Sequence, residues 1–512
     1  MNGAESLVHT LLASGIDTVF ANPGTSEMHF VAALDRIPGM HCILCLSEGV
    51  ATGAADAYWR VSGKLAATLL HCGPGLANGL ANLHNAMRAN SGVLNIVGDQ
   101  ATHHRPLDAP LTADVEGWAR PVSAFVRRAM TAARVGADAA AAIEAARTYP
   151  GQISTLILPA DTAWNEGGVA AQAALPTKSA PCSSHVVDTV ARVLRSGEPS
   201  LLILGNTVLG DSALLDAYRI ARHCDAGIFV PRAPAKLARG RGRPPFLRIP
   251  YPIDTALEAF AGVKHLILVG SPEPVSFFAY PGKPGRLYPE DCSLHILART
   301  DEDGPASLAA LADSVGAPRI LAPDPGPRPS PASGATTPER FAQSLAALMP
   351  DNAIIVDEAI SFGRGFFPET FAAPRHDWMQ LTGGGIGDGL PMSIGAAIAA
   401  PDRHVITLQG DGSAMYTLAG LWTQARERLN ITTIILSNRQ YAILRGELAG
   451  VGANPGPTAF SMLDLSNPEL DWPKLANGMG VEAARAETLE ELNTLLASAV
   501  GKTGPFLIEM VL

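Results

Sequence analysis

The chain is 512 residues long, 47% apolar and 17% charged, a globular composition too long for one core, so two to four domains are expected. A net charge of −10 argues against a nucleic-acid or anionic-membrane partner, because each would repel it. No apolar run reaches the length of a bilayer span, the first residues lack a basic leader, and six cysteines make no disulfide scaffold, so a cytoplasmic protein is expected.

The opening MNGAESLVHTLLASGIDTVF reads as an amphipathic helix running into a strand at 18–20. Apolar strand-like runs recur at 66–70, 94–97, 155–158, 201–204, 265–269, 354–356, 405–408, 432–436 and 506–510, separated by Ala- and Leu-rich helical stretches. Several of these runs lack alternation, as strands covered on both faces do. The expected fold class is therefore α/β, with three domains, each a mainly parallel sheet flanked by helices. Looser sequence at 164–184 and the Pro-rich 322–338 mark the joints, giving domains at 1–170, 185–320 and 338–512. Cys42 and Cys45 lie three apart in a strand-like run, so their side chains face opposite ways and no second pair completes a zinc site. The basic 236–243 carries two glycines and precedes Pro-Pro, which predicts a solvated loop.

The sharpest motif is Gly410-Asp411-Gly412-Ser413, directly after the 405–408 run and before a helical stretch. Glycines there let backbone N–H groups approach a diphosphate at a helix N-terminus. Asp411 adds a hard oxygen ligand of the kind Mg²⁺ takes. The next run ends in Ser437-Asn438-Arg439-Gln440-Tyr441, so Asn438 and the Gln440 carbonyl are expected beside Asp411 at the carboxyl edge of one sheet. Rival phosphate motifs fail: 205–212 has Walker spacing but Asp211 in the lysine position, and 383–389 does not fit GxGxxG.

With GDGS followed by NRQY, the chain resembles the thiamine-diphosphate enzymes, nearly end to end, and within them the decarboxylase/acetolactate synthase superfamily, nearest to benzoylformate decarboxylases. That resemblance implies, in order, a pyrimidine-binding, a middle and a diphosphate-binding domain. It implies thiamine diphosphate with Mg²⁺ (or Ca²⁺ in its place) on Asp411, Asn438 and Gln440, and no flavin. Glu48 matches the glutamate that bonds the cofactor's aminopyrimidine. Asn22, Pro23 and Gly24 match the first cofactor loop, with Thr25 and Ser26 where a hydroxyl meets substrate; a helix N-cap would use the same residues. His71 matches a catalytic histidine, with Asn78 ordering the same Gly-rich loop. His103 and His104 resemble a histidine pair of the pyruvate-decarboxylase branch. Ile360 and Ser361 match residues at the diphosphate, Gly384, Gly385 and Ile386 the loop supporting the bent cofactor, and Tyr441, Ala442 and Ile443 the segment closing the site.

The implied activity is non-oxidative decarboxylation of a 2-keto acid with carboligase capacity. The alternatives are an acetolactate-synthase-like carboligase and a catalytically silent cofactor-binding paralogue. A homodimer is the expected minimum and a homotetramer the expected assembly. Two departures stand out. The second catalytic histidine falls at Phe278, which cannot relay a proton. Asp388 stands where an apolar residue is common and, if it faced the cofactor, would disfavour an anionic or strictly aromatic substrate.

Overall fold

A computed structural model describes residues 1–512. The first six strands are β1 (Thr18–Asn22), β2 (His41–Leu44), β3 (Ala66–Leu70), β4 (Val93–Asp99), β5 (Phe125–Arg128) and β6 (Ile153–Pro159). They form a parallel sheet in the order β2-β1-β3-β4-β6-β5. The chain leaves β1 in one direction and β3 in the other, so the β1/β3 boundary is the crevice where an open α/β sheet binds ligands. The 18–20 and 66–70 runs lead straight to it.

Next come β7 (Ser200–Leu204), β8 (Gly227–Val230), β9 (Leu237–Arg239), β10 (Leu247–Arg248), β11 (His265–Val269) and β12 (Ser293–Ala298). Five of them make a parallel sheet, β10-β8-β7-β11-β12. The exception is β9, which crosses to the third sheet and pairs antiparallel with its edge strand. Residues 237–239 of the basic 236–243 segment are thus a buried strand, and only its end, at Arg241 and Gly242, is an exposed turn. Arg239 is only 3% exposed. Its guanidinium stacks on Phe367 at 3.6 Å and donates to the Phe367 carbonyl at 2.6 Å and to Thr370 Oγ1 at 2.9 Å. A planar, weakly hydrated cation with aromatic faces can be buried where an ammonium would not be.

The last strands are β13 (Ala353–Glu358), β14 (His376–Gln380), β15 (Val405–Gly410), β16 (Ile431–Ser437), β17 (Glu482–Ala486) and β18 (Phe506–Val511). With β9 they form the seven-stranded sheet β17-β18-β16-β15-β13-β14-β9. Its direction reverses between β13 and β15, so Glu358–Ser361 and Gly410–Ser413 face each other across a second crevice. The register Gly410↔Leu436 puts Asp411 and Asn438 at neighbouring strand ends.

The first and third sheets are locked by two small-residue helices, Glu48–Ser62 and Gly389–Ala399. Gly395 permits the approach: a Cβ there would lie 1.9 Å from the Ala54 carbonyl oxygen. No helix is long and apolar enough to cross a membrane.

Candidate active site

Glu48 opens its helix at 5% exposure, just past the end of β2. Asn78 donates to its Oε2 at 3.1 Å. Gly75 packs so closely that a Cβ would fall 2.8 Å from Oε1. Asn78 therefore belongs to a helix, Cys72–Ala89, and not to a loop, because the Gly-rich 73–79 stretch winds into that helix's first turns. It aims the Glu48 carboxylate.

Across the β1/β3 crevice lies a second group. His71 ends β3, and its Nδ1 is 2.8 Å from Glu27 Oε2. Glu27 is fully buried and also accepts from the Gly24 N–H at 2.8 Å and Ser26 Oγ at 2.6 Å. Ser26 Oγ lies 3.1 Å from Cys72 Sγ, whose burial pushes the thiol up to about 11. Glu27 sits inside the very motif that carries Asn22 to Ser26, yet its spacing reads simply as the end of a helix cap; its sequence signal was an acid in a Gly-rich strand-end loop. The Nδ1 hydrogen is assigned from this network: it points to Glu27, leaving His71 Nε2 free to exchange a proton. Thr25 begins the 3₁₀ turn Thr25–Glu27. His103 and His104 stand exposed on the loop after β4. His103 pairs with Asp161 at 3.8 Å and packs near Trp164, and neither histidine bonds to the Glu27–His71 group.

In the third sheet, Asp411 is 4% exposed. It accepts from the Gly412 N–H at 2.8 Å and from the Arg439 N–H at 2.6 Å, which draws the Asn438 loop onto the GDGS turn. Asn438 Oδ1 accepts from the Gln440 N–H at 3.1 Å. Tyr441 lies flush against Gly412, where a Cβ would come 2.5 Å from the ring; Ala442 and Ile443 start the following helix, Ala442–Gly450. The donors here are a carboxylate, an amide oxygen and a backbone carbonyl, all hard oxygens suited to Mg²⁺ or Ca²⁺. No Lys, Arg or His side chain forms an ion pair with Asp411 within 4.0 Å, and burial raises its pKa above the ordinary aspartate value. A buried carboxylate without a cation is what a bound divalent ion would compensate, so these residues fit the metal. Ser413 Oγ accepts from Gln409 Nε2 at 2.7 Å.

The glycine loop is fixed from both sides. Glu358 is wholly buried and accepts from the N–H groups of Gly387 and Gly389, each at 2.6 Å. Asn85, reaching over from the first domain, bonds the Gly385 peptide at both ends, at 2.7 and 3.0 Å. These partners come from distant segments, so no local pattern could assign them. Asn85 also donates to Asp388 Oδ2 at 3.0 Å. Asp388 is fully buried beside Gly53 and therefore faces the first domain's helix, not a cofactor. The residue over Gly384 is Phe277: a Cβ on Gly384 would meet its Cζ at 2.6 Å. Phe278 is 54% exposed and edges against Phe277. Three non-glycine residues at these strand ends, Cys72, Ile360 and Arg439, have left-handed backbone, with φ of 53°, 50° and 54°. For β-branched Ile360 this is a strained conformation of the kind that collects at functional loops. Ser361 follows it at the mouth of the β13/β15 crevice.

Two parallel-sheet crevices, one beside a buried glutamate and the other beside Asp411 and Asn438 at neighbouring strand ends, define an α/β protein with ligand-binding edges on two of its sheets. The chain belongs to the thiamine pyrophosphate enzymes: that family's N-terminal TPP-binding domain matches residues 1–118 and its C-terminal TPP-binding domain residues 367–510. A Mycobacterium tuberculosis H37Rv protein provisionally named acetolactate synthase large subunit IlvX is 51% identical, over 100% of this chain and 99% of its own. Benzoylformate decarboxylase of Pseudomonas aeruginosa is 30% identical over 97% of this chain and 96% of its own. Among solved structures, the thiamine diphosphate-dependent 4-hydroxybenzoylformate decarboxylase of Rhodococcus jostii RHA1 superposes with a TM-score of 0.86 at 26% identity, covering 99% of this chain and 98% of its own.

Proposed function

We propose that this enzyme releases CO₂ from 2-keto acids without oxidation, using thiamine diphosphate and Mg²⁺. When bound, the cofactor supplies the attacking carbon and the electron sink for decarboxylation. Glu48, aimed by Asn78, bonds the cofactor's pyrimidine ring. Asp411, Asn438 and the Gln440 carbonyl hold the metal, with Gly410, Gly412, Ser413, Ile360 and Ser361 around the diphosphate. Gly384, Gly385 and Ile386 support the cofactor's bend, while Tyr441 to Ile443 close the site. Thr25 and Ser26 meet the substrate carboxylate. In this assignment 1–170 carries the pyrimidine half of the site, 338–512 the diphosphate half, and 185–320 a substrate wall. Two copies of the chain form the minimum active unit.

The observation that carries the reading is the His71–Glu27 pair. A buried carboxylate fixes His71 Nδ1–H, so Nε2 is presented as the group that moves a proton once CO₂ has left. Carboligation is the second reading, and Phe277 favours it: an apolar ring over Gly384 offers no second proton donor, so an aldehyde or ketone acceptor can compete with protonation. CO₂ release from a panel of 2-keto acids tests the proposal. Release should require both thiamine diphosphate and Mg²⁺ and fall at least about a hundredfold in Glu48→Gln, the scale of a lost general acid–base group. Release that persists without cofactor, or is unchanged in Glu48→Gln, overturns it.

A further inference from the structure

Beside Phe277, in the cleft between the second and third domains, two arginines have no acidic partner. Arg232 follows β8 and is partly buried. Its guanidinium lies 5.8 Å from the Tyr251 ring and 5.9 Å from the Phe277 ring. Its one hydrogen bond runs from Nε to the Pro250 carbonyl at 3.3 Å, so both terminal nitrogens are unengaged. Arg364, three residues past Ser361, lies 4.8 Å over the same Tyr251 ring and is likewise in no ion pair. The nearby acid is committed elsewhere: Glu447 takes the hydroxyls of Tyr251 and Tyr280 at 3.1 and 3.0 Å.

Most of the chain's buried and half-buried arginines satisfy their forks, one exception being Arg239, which stacks on aromatic rings instead. Arg60, Arg105, Arg128, Arg219 and Arg243 all pair with carboxylates. The Arg232 guanidinium is partly withdrawn from water with both terminal nitrogens unengaged, and its planar fork matches a carboxylate. Phe277 links this fork to Gly384, the loop assigned to the cofactor. An apolar ring between the reacting end and a cation is the layout for a substrate with a short hydrocarbon chain and a distal negative charge.

We infer that Arg232, assisted by Arg364, is an anion subsite at the far end of the substrate pocket, and that the favoured donor is a 2-keto acid bearing a second carboxylate on its side chain. The inference rests on the decarboxylase reading for the position of the reacting end. It makes Arg232 and Phe277 specificity-determining residues: Phe277 packs against the intervening methylenes, and Arg232 binds the distal carboxylate.

The test uses a matched pair, 2-oxoglutarate and 2-oxopentanoate, which share a five-carbon chain and differ in a terminal carboxylate against a methyl. Both are titrated calorimetrically into full-length Glu48→Gln protein loaded with thiamine diphosphate and Mg²⁺, so that turnover does not obscure binding. The diacid should bind at least about tenfold tighter, as a desolvated charge-assisted bond allows. The gap should narrow with added salt, close in Arg232→Gln, and partly return in Arg232→Lys. Arg364→Gln, a change at an exposed position that removes the guanidinium from over the Tyr251 ring, should reduce it as well. Equal affinity for the two acids, or a gap that survives Arg232→Gln, overturns the subsite. Weakened thiamine diphosphate binding in Arg232→Gln also overturns it, since the guanidinium would then serve the cofactor. In the wild type, CO₂ from neither acid despite the binding gap sinks the decarboxylase reading alone. CO₂ from both with equal kcat/KM sinks the subsite alone.

Discussion

Glu27 accepts from three donors inside a site that excludes water, and each of its oxygens is used. Replacing it with Gln can set the NH₂ group on Ser26 Oγ, which is able to accept, so that the amide oxygen still faces the Gly24 N–H and the His71 ring. What is lost is the charge-assisted character of the bond to His71, at a cost of about 1–3 kcal/mol, and with it the anion that fixes the ring's Nδ1–H. Glu27→Gln is therefore expected to lower turnover about tenfold or more, with thiamine diphosphate affinity changed by less than about twofold, because Glu27 makes no bond to the Asp411 cradle or to Glu48. Steady-state kinetics beside a cofactor titration check this. Unchanged turnover would reduce the pair to scaffolding. Gly24 makes the same point sterically, since a Cβ there would sit 2.3 Å from the His71 ring.

Among the elements, β9 is the least expected. Three residues leave the second domain's chain to edge the third domain's sheet, and Arg239 carries them there by lying among Phe367, Phe371 and Trp378. Its Nε and Nη1 find no partner, and burial holds its pKa well below the usual arginine value. The stem and the planar stack, more than the charge, thus hold the strand. Arg239→Ala should cost about 2–4 kcal/mol, a large-to-small core change. Arg239→Met, which fills the space without a buried charge, should cost far less. Thermal unfolding of the two variants separates packing from charge; equal losses would show that the guanidinium's own bonds dominate. Edge elements such as this one were the least legible in the sequence. The runs at 354–356, 405–408 and 432–436 announce central strands because both faces are buried. Phe125–Arg128, Leu247–Arg248 and Glu482–Ala486 are half-exposed edges, and their mixed composition carries no strand signal.

Across the whole molecule, the domains are tied by buried polar groups. Arg60 pairs with Asp56 in the first domain's helix and also donates to the Gln380 carbonyl at 2.7 Å and the Ala235 carbonyl at 3.4 Å, touching all three domains. Beside this junction His376 is fully buried, and burial with nearby Arg239 lowers its pKa from 6.5 to about 3. The folded protein keeps His376 neutral while the unfolded chain protonates near 6.5. The unfolded state therefore binds more protons between these values, and stability falls as pH drops through that window. From pH 7 to pH 5 the loss is about 2 kcal/mol from this residue. His404, lowered to about 4 by burial, acts in the same direction. Denaturation at pH 7 and pH 5 should show this loss, and His376→Asn should flatten it; an unaltered slope would place the acid sensitivity elsewhere.

Glu48 was picked out by the resemblance to the thiamine-diphosphate enzymes; the sequence by itself determined the α/β class and the meeting of the GDGS turn with Asn438. These depend on local rules: a residue just past the end of an apolar parallel strand stands at the sheet's ligand-binding edge, and glycine with a hard oxygen there suits a metal-bound diphosphate. Only the tertiary structure decided that Glu27 holds His71, that Asn85 and Glu358 fix the glycine loop, that Arg239 is buried and Asp388 turned away, and that Phe277, not Phe278, lies over Gly384. Each of those depends on which distant segment supplies a hydrogen-bond partner or an aromatic face. A buried polar group is satisfied by whatever the fold brings beside it, and spacing along the chain does not encode that neighbour.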